Sequence, residues 1–306
     1  MAECKATRST VLSSLLIGVC VVAVVFLIIG FTVLKKDDST DSTLEPGPCD
    51  RGDGHDDYVA NGTDIAINND VNAYLVEPIG SCLAAVVVIH DIYGYEMGAT
   101  RLVADELASR GYTAVMPDLY RGNPWNGTGD FAEWKSQHPQ DRIDRDVDAT
   151  LDYIHTELDI ANIGMVGFCF GGRQTVLASA PSPGRLQAGV GFYGVGTTTT
   201  EVLSMQAPTL LVYGQNDTGQ PLEGVHVLQD ALRDANRLLD DPTGDDSNLD
   251  GPASFIKIFD DVGHAFVHRA DRNDPVAAAA ADDAKQDMYY WLNRYLPTES
   301  EQVWSN

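Results

Sequence analysis

The chain has 306 residues, 44% of them hydrophobic and 21% charged, with a formal net charge of −25. That length accommodates one domain of roughly 240–250 residues plus a tail. From residue 37 onward 16 basic residues face 44 acidic ones, a net of −28, which argues against nucleic acid or an anionic membrane surface as a partner and fits a solubilising surface whose self-repulsion salt would screen.

In chain order, a short tail (1–10) precedes an uncharged apolar run from Val11 to Leu34. At 1.5 Å per residue this run extends roughly 36 Å, enough to cross a bilayer core of about 30 Å with some tilt. It is longer than the apolar core of a cleaved signal and no small-x-small site follows it, so a transmembrane signal-anchor is the expectation, with secretion after cleavage as the alternative. Two basic residues flank each side (Lys5 and Arg8; Lys35 and Lys36), so the charge rule does not orient the segment. Residues 35–58 read as a flexible acidic linker. Cys49 and Cys82 flank the start of the domain, either as a disulfide suited to a lumenal or extracellular face or as two free thiols. Sequons stand at Asn61, Asn126 and Asn216. The expected placement is a membrane-anchored, lumenal or extracellular domain at residues 59–297, followed by a tail at 298–306.

Within that domain the apolar periodicity predicts a strand pair over about 64–77 and a strand over 84–90, then a helix over 98–110 and a strand over 112–116. A helix over 142–158, a strand over 163–168, a helix over 170–180 and strands over 188–192 and 208–213 follow. A helix over 221–239, a strand over 254–259 and a helix over 275–296 complete the series. The acidic stretch 240–250 reads as a surface insertion. Alternating strands and helices predict an α/β fold, a mostly parallel sheet with helices on both faces. No internal repeat, metal-ligand spacing or phosphate loop is visible, so neither a metal nor another cofactor is expected. No pattern specifies an oligomeric state.

The most informative stretch is Gly167-Phe-Cys-Phe-Gly-Gly172. An apolar run precedes it and a helical pattern follows, the context of a nucleophile elbow. Glycines two before and two after Cys169 remove side chains that would collide in so tight a turn. A thiol at a helix N-terminus meets the positive end of the macrodipole, which favours the reactive thiolate. Alone, the motif fits a buried cysteine in a Gly-rich turn equally well; the order of its partners decides between the two. Asp217 follows 48 residues later, after the strand Leu210–Gly214, and His264 another 47 residues on, after the strand Ser254–Phe259. Nucleophile, acid and histidine thus stand in the order such elbows use, each just past a strand end, where open α/β sheets place ligands. His268, one helical turn past His264, is the rival base, and His90 ends a strand near the same edge. The backbone N–H groups of Phe170 and Ile92 are the expected oxyanion donors.

Six segments resemble the dienelactone hydrolase family of the α/β-hydrolase fold: Val86–Gly94, Gly111–Tyr120, Gly167–Gly172, Gly191–Gly194, Gly214–Asp217 and Gly263–Phe266. The resemblance spans about residues 59–297. It implies Cys169, Asp217 and His264 as a catalytic triad acting on ester or lactone bonds, with Asp91 as an acidic residue beside the thiol and Tyr93 and Arg269 supporting the substrate. Bacterial members usually carry glutamate where Asp91 stands, and hold a substrate carboxylate with two arginines. Here the stretch 129–140 offers only Lys135, and the second arginine would fall at His268 or Arg269. The departures point away from a dienelactone itself as substrate and leave the hydrolase chemistry intact. The expectation is therefore a hydrolase of small ester or lactone substrates working through a thioester. A membrane-tethered binding protein that kept the fold without turnover is the alternative, which an intact Cys-Asp-His set disfavours.

Overall fold

The structure, a computed structural model, describes residues 61–80, 84–180 and 185–296. Residues 11–34, the linker, and Cys49 and Cys82 lie outside the described residues. Among the described residues no helix is long and apolar enough to cross a membrane.

Alternating Val, Ala and Ile residues make the strands, and their period of two divides them between two cores. Strand β3 (Ala84–Ile89) shows this directly: Ala84, Val86 and Val88 enter one core, while Ala85, Val87 and Ile89 enter the other. A strand buried on both faces belongs inside a parallel sheet covered by helices. Accordingly β3 is central, flanked by β4 (Thr113–Pro117) and β5 (Asn162–Phe168), both parallel to it. The sheet continues in parallel through β6 (Ala188–Phe192), β7 (Thr209–Gly214) and β8 (Ser254–Phe259). At the other edge β1 (Thr63–Ile67) and β2 (Val71–Val76) form an antiparallel hairpin, and β2 pairs antiparallel with β4. The strand order is β1-β2-β4-β3-β5-β6-β7-β8.

Helices α1 (Gly98–Ser109) and α7 (Pro275–Tyr295) contribute Leu107, Met288, Trp291 and Leu292 to the first core. Helix α3 (Gln140–Thr156) closes the second with Ile143, Val147, Leu151 and Ile154. The four side chains of α3 recur at spacings of three and four, the apolar stripe of a surface helix. Helix α4 (Phe170–Ala178) follows β5 directly, and α6 (Leu222–Asp234) lies between β7 and β8 in the chain.

Two short helices appear where the periodicity gave no expectation. In α2 (Phe131–Ser136) the Asp130 side chain caps the N–H groups of Ala132 and Glu133; α5 (Thr199–Ser204) is opened by a Thr198–Glu201 capping box. Both are set by end chemistry rather than by an apolar stripe. The expected helix over 221–239 ends instead at Asp234, because Asn236 adopts φ 50°, a left-handed stop. Leu238 then bridges to Ser254 as a strand-like contact. The acidic stretch after it is anchored: Arg294 donates to the carbonyls of Pro242 and Gly244 at 2.6 and 2.7 Å, and the Tyr295 hydroxyl donates to Asp246 at 2.7 Å.

Candidate active site

The parallel strands end on one edge, and the loops leaving β3, β5, β6, β7 and β8 meet there. At the end of β5 the backbone turns at Cys169 with φ 57° and ψ −113°, a region a side-chain-bearing residue seldom occupies. The turn is held by the Cys169 N–H donating to the Phe192 carbonyl at 3.0 Å and by three glycines without room for a side chain. A Cβ on Gly167 would stand 2.0 Å from the Gly171 carbonyl oxygen, one on Gly171 would stand 2.2 Å from that of Ile89, and one on Gly172 would stand 2.5 Å from that of Phe192. Cys169 sits at the N-cap of α4, whose first N–H belongs to Phe170 and has no acceptor inside the helix.

Asp217 and His264 come together from the loops after β7 and β8, with His264 Nδ1 2.8 Å from Asp217 Oδ2. The other carboxylate oxygen of the buried Asp217 accepts the N–H groups of Gly219 and Gln220 at 2.7 and 3.3 Å. Burial alone would lower the His264 pKa; hydrogen bonds to Asp217 and to the Cys169 sulfur outweigh it and push it up to about 10. The imidazole thus stands between carboxylate and sulfur, and its protonated form is favoured by both.

In the loop after β3 the Tyr93 N–H donates to Asp91 Oδ1 at 2.8 Å and the Ile92 carbonyl accepts from Trp125 at 2.8 Å. Among the described residues the Ile92 N–H has no acceptor. Asp91 is fully buried, with His268 Nε2 at 3.1 Å and Arg269 Nη2 at 3.0 Å from its Oδ2. Burial would raise its pKa, but His268, Arg269 and the Tyr93 N–H hold it down to about 2. Arg269 also lies over the Tyr93 ring, 4.8 Å from its centroid. Asp91, Tyr93 and Arg269 therefore form one ion-paired group beside the elbow. His268 is committed elsewhere as well, its Nδ1 lying 2.6 Å from the Tyr193 hydroxyl, so the rival base has both ring nitrogens occupied. His90 is structural: its Nδ1 contacts the Asp91 carbonyl at 2.7 Å and its Nε2 accepts the Leu119 N–H at 3.1 Å.

One wall of the site escaped the sequence reading. Tyr120 packs against Phe170, Trp134, His138 and His90 with ring centroids 4.8–5.1 Å apart, and Trp134 continues the cluster to Trp125 and Phe131. These aromatics come from separate segments, and only the density of rings between Tyr120 and Trp134 hinted at them. The cations nearby are paired: Arg173 with Glu201 at 2.6 Å, Arg142 with Asp146 at 3.1 Å. Lys135 is exposed on α2. A shallow cavity of about 150 Å³ lined by Asn123, Trp125, Glu133 and Trp134 includes neither Cys169 nor His264 and is not where the reactive groups converge. Among the described residues no group of three or more His, Cys, Asp or Glu is placed to hold a metal ion.

The sequence model of the dienelactone hydrolase family matches residues 71–296. The carboxymethylenebutenolidase homolog of Rattus norvegicus is 32% identical over 259 residues, covering 82% of this chain and 98% of the rat protein. The Homo sapiens homolog is 31% identical, with 82% and 98% covered. Among solved structures, a Klebsiella pneumoniae protein assigned to the dienelactone hydrolases superposes with a TM-score of 0.62 at 26% identity, covering 78% of this chain and 100% of its own. The chain belongs to the dienelactone hydrolase family, whose members are hydrolases of ester and lactone bonds.

Proposed function

We propose that this hydrolase opens its substrate with Cys169 as nucleophile, His264 as general base and acid, and Asp217 as the group that orients the imidazole. The observation that carries the reading is the 2.8 Å Asp217–His264 hydrogen bond beside a cysteine held in a left-handed elbow. The proton of the Cys169–His264 pair is held on His264 Nε2, and the thiolate attacks the carbonyl carbon. The N–H groups of Phe170 and Ile92 stabilise the oxyanion. On collapse the C–O bond breaks and His264 returns the proton to the departing oxygen, leaving a thioester. Water, deprotonated by His264, then attacks the thioester and the Cys169 sulfur leaves. Because a thiolate is itself a good leaving group, the forward path favours substrates whose alcohol is acidic, such as enol or aryl esters and enol lactones. Amides react poorly.

The curated relatives carry the name of a lactone hydrolase, which fits this class of substrate. The paired state of Arg269, Arg173 and Arg142 favours neutral substrates over carboxylated ones. We further propose that residues 11–34 anchor the chain in a membrane as a single span, with the hydrolase domain on the lumenal or extracellular face. The supporting feature is an uncharged apolar run long enough to cross.

The test is Cys169→Ala in purified protein, which should abolish hydrolysis of activated esters while leaving the fold intact by circular dichroism. Cys169→Ser should also lose most activity, since a hydroxyl is far less acidic than a thiol. Turnover that survives Cys169→Ala ends the assignment.

A further inference from the structure

Behind the His264 ring lies a second set of buried polar groups to which the hydrolytic steps assign no task. Tyr193 follows β6 with φ 41°, a conformation side chains rarely adopt and one that persists only where the surroundings enforce it. Its N–H donates to the Val212 carbonyl at 2.6 Å, and its ring stands edge-on to His264 with centroids 5.0 Å apart. Its hydroxyl lies 2.6 Å from His268 Nδ1, and His268 Nε2 lies 3.1 Å from Asp91 Oδ2. The side chains of His268 and Asp91 have no solvent exposure, and Tyr193 is fully buried.

The donor and acceptor inventory fixes the protons along this chain of groups. Asp91 also receives Arg269 and the Tyr93 N–H, so it is an ionised acceptor and His268 Nε2 carries the hydrogen between them. His268 Nδ1 is then an acceptor, and the Tyr193 O–H donates to it. A second proton on His268 would need the lone pair that the Tyr193 hydroxyl occupies. The other groups facing His268 are Phe168, its ring tilted with centroids 4.5 Å apart, and His264 and Arg269, both of which oppose a further positive charge. Burial likewise disfavours the charged imidazole.

We propose that Tyr193 and His268 are positioning residues of the hydrolase: the Tyr193 hydroxyl locks His268 as a neutral Nε2–H imidazole, and that imidazole clamps Asp91. The clamp fixes the Asp91–Tyr93 turn that presents the Ile92 N–H, while the locked Tyr193 ring walls the His264 imidazole. The loops after β3 and β8 are thereby tied to the loop after β6. The inference rests on the Cys169–His264–Asp217 reading.

Three variants test it. Tyr193→Phe keeps the ring and removes the lock, freeing Nδ1 while Nε2 stays on the Asp91 carboxylate. His268 can then take up a proton at low pH, below the ordinary imidazole range because burial, Arg269 and His264 still oppose the charge; a positive His268 opposes the imidazolium form of His264, so kcat falls about 10-fold at the acid end with KM nearly unchanged and recovers as pH rises. His268→Gln supplies an amide N–H to Asp91 and a carbonyl to Tyr193 without titrating, and should keep the wild-type pH profile with activity within a few-fold. His268→Leu serves neither partner and should lose kcat by more than 10-fold at every pH. In parallel, the pH dependence of Cys169 alkylation by iodoacetamide, read by peptide mass, should gain the same inflection in Tyr193→Phe. If alkylation of Cys169 fails to abolish wild-type hydrolysis, the nucleophile assignment fails on its own account. If it does abolish hydrolysis and Tyr193→Phe keeps the wild-type profile of both kcat and alkylation, the lock is overturned. Variants that lose only thermal stability, with unchanged pH profiles in the folded protein, assign Tyr193 and His268 a purely structural role and overturn it equally.

Discussion

Gly171→Ala adds one methyl group to the first turn of α4. A Cβ there would stand 2.2 Å from the Ile89 carbonyl oxygen and 2.8 Å from that of His90. Both are backbone atoms of β3 and the loop that leaves it, so neither rotates aside as a side chain would. Restoring ordinary contact requires α4 to withdraw from β3 by about 1 Å, an overpacking that costs about 1–3 kcal/mol. For a domain of this size that lowers Tm by about 2–12 °C. The effect on chemistry is larger, because Cys169 precedes this turn and moves with it. A misplacement of about 1 Å in a reacting group costs about 100-fold. The expected variant is folded by circular dichroism, melts slightly lower in scanning calorimetry, and hydrolyses p-nitrophenyl acetate with kcat/KM reduced about 100-fold. The comparison is Gly224→Ala on α6, where the nearest atom is the Gln220 Nε2 at 3.2 Å, the tip of a flexible side chain. That change should stabilise by about 0.5–1 kcal/mol and leave activity untouched. Wild-type kcat/KM in folded Gly171→Ala would refute the claim that a close-packed elbow positions the nucleophile.

Asp91, held down to about 2, contributes stability that is present above the usual carboxylate pKa near 3.8 and lost as pH falls toward 2. Between about pH 5 and pH 2 the unfolding free energy of the wild type should therefore drop on the order of 2 kcal/mol more than that of Asp91→Asn, and parallel curves would contradict this. With Arg269, Arg173 and Arg142 paired, neutral aryl or enol esters should exceed their carboxylated analogues in kcat/KM. Raising salt from about 0.1 to 1 M shortens the Debye length from about 10 to 3 Å and should narrow that gap. Preference for the carboxylated compound at low salt would show that Arg269 leaves Asp91 for the substrate, and Arg269 would be the residue to mutate. Full-length protein should remain in the pellet on carbonate extraction while a chain beginning near Thr40 is soluble; a mature N-terminus near Lys36 would show a cleaved signal instead.

What the sequence made legible follows from the range of the interactions involved. Strand β3 was readable because six consecutive small apolar residues are buried on both faces, and the turn at Cys169 because glycines must flank it. The helices α2 and α5 were not, since six residues are too few for an apolar stripe; their signals were the caps at Asp130 and Thr198. The early end of α6 turned on one residue, Asn236, in a stretch whose composition otherwise continues the helix. The partners of His268 lay out of reach: Tyr193 is 75 residues away and Asp91 177, and such contacts leave no local pattern. Its spacing from His264 suggested a rival base, whereas tertiary packing gave it a hydroxyl and a carboxylate. The aromatic wall of Tyr120, Trp134 and Phe170 is assembled in the same way from three separate segments.

The most direct test of the account is to trap the acyl-enzyme. Wild-type protein mixed with p-nitrophenyl acetate and quenched in acid within the first turnover should gain the mass of one acetyl group, and peptide mapping should place it on Cys169 as a hydroxylamine-sensitive thioester. His264→Ala should accumulate far less. An acetyl group on any other residue, or full turnover with no adduct on Cys169 at any quench time, would contradict nucleophilic catalysis by the elbow cysteine.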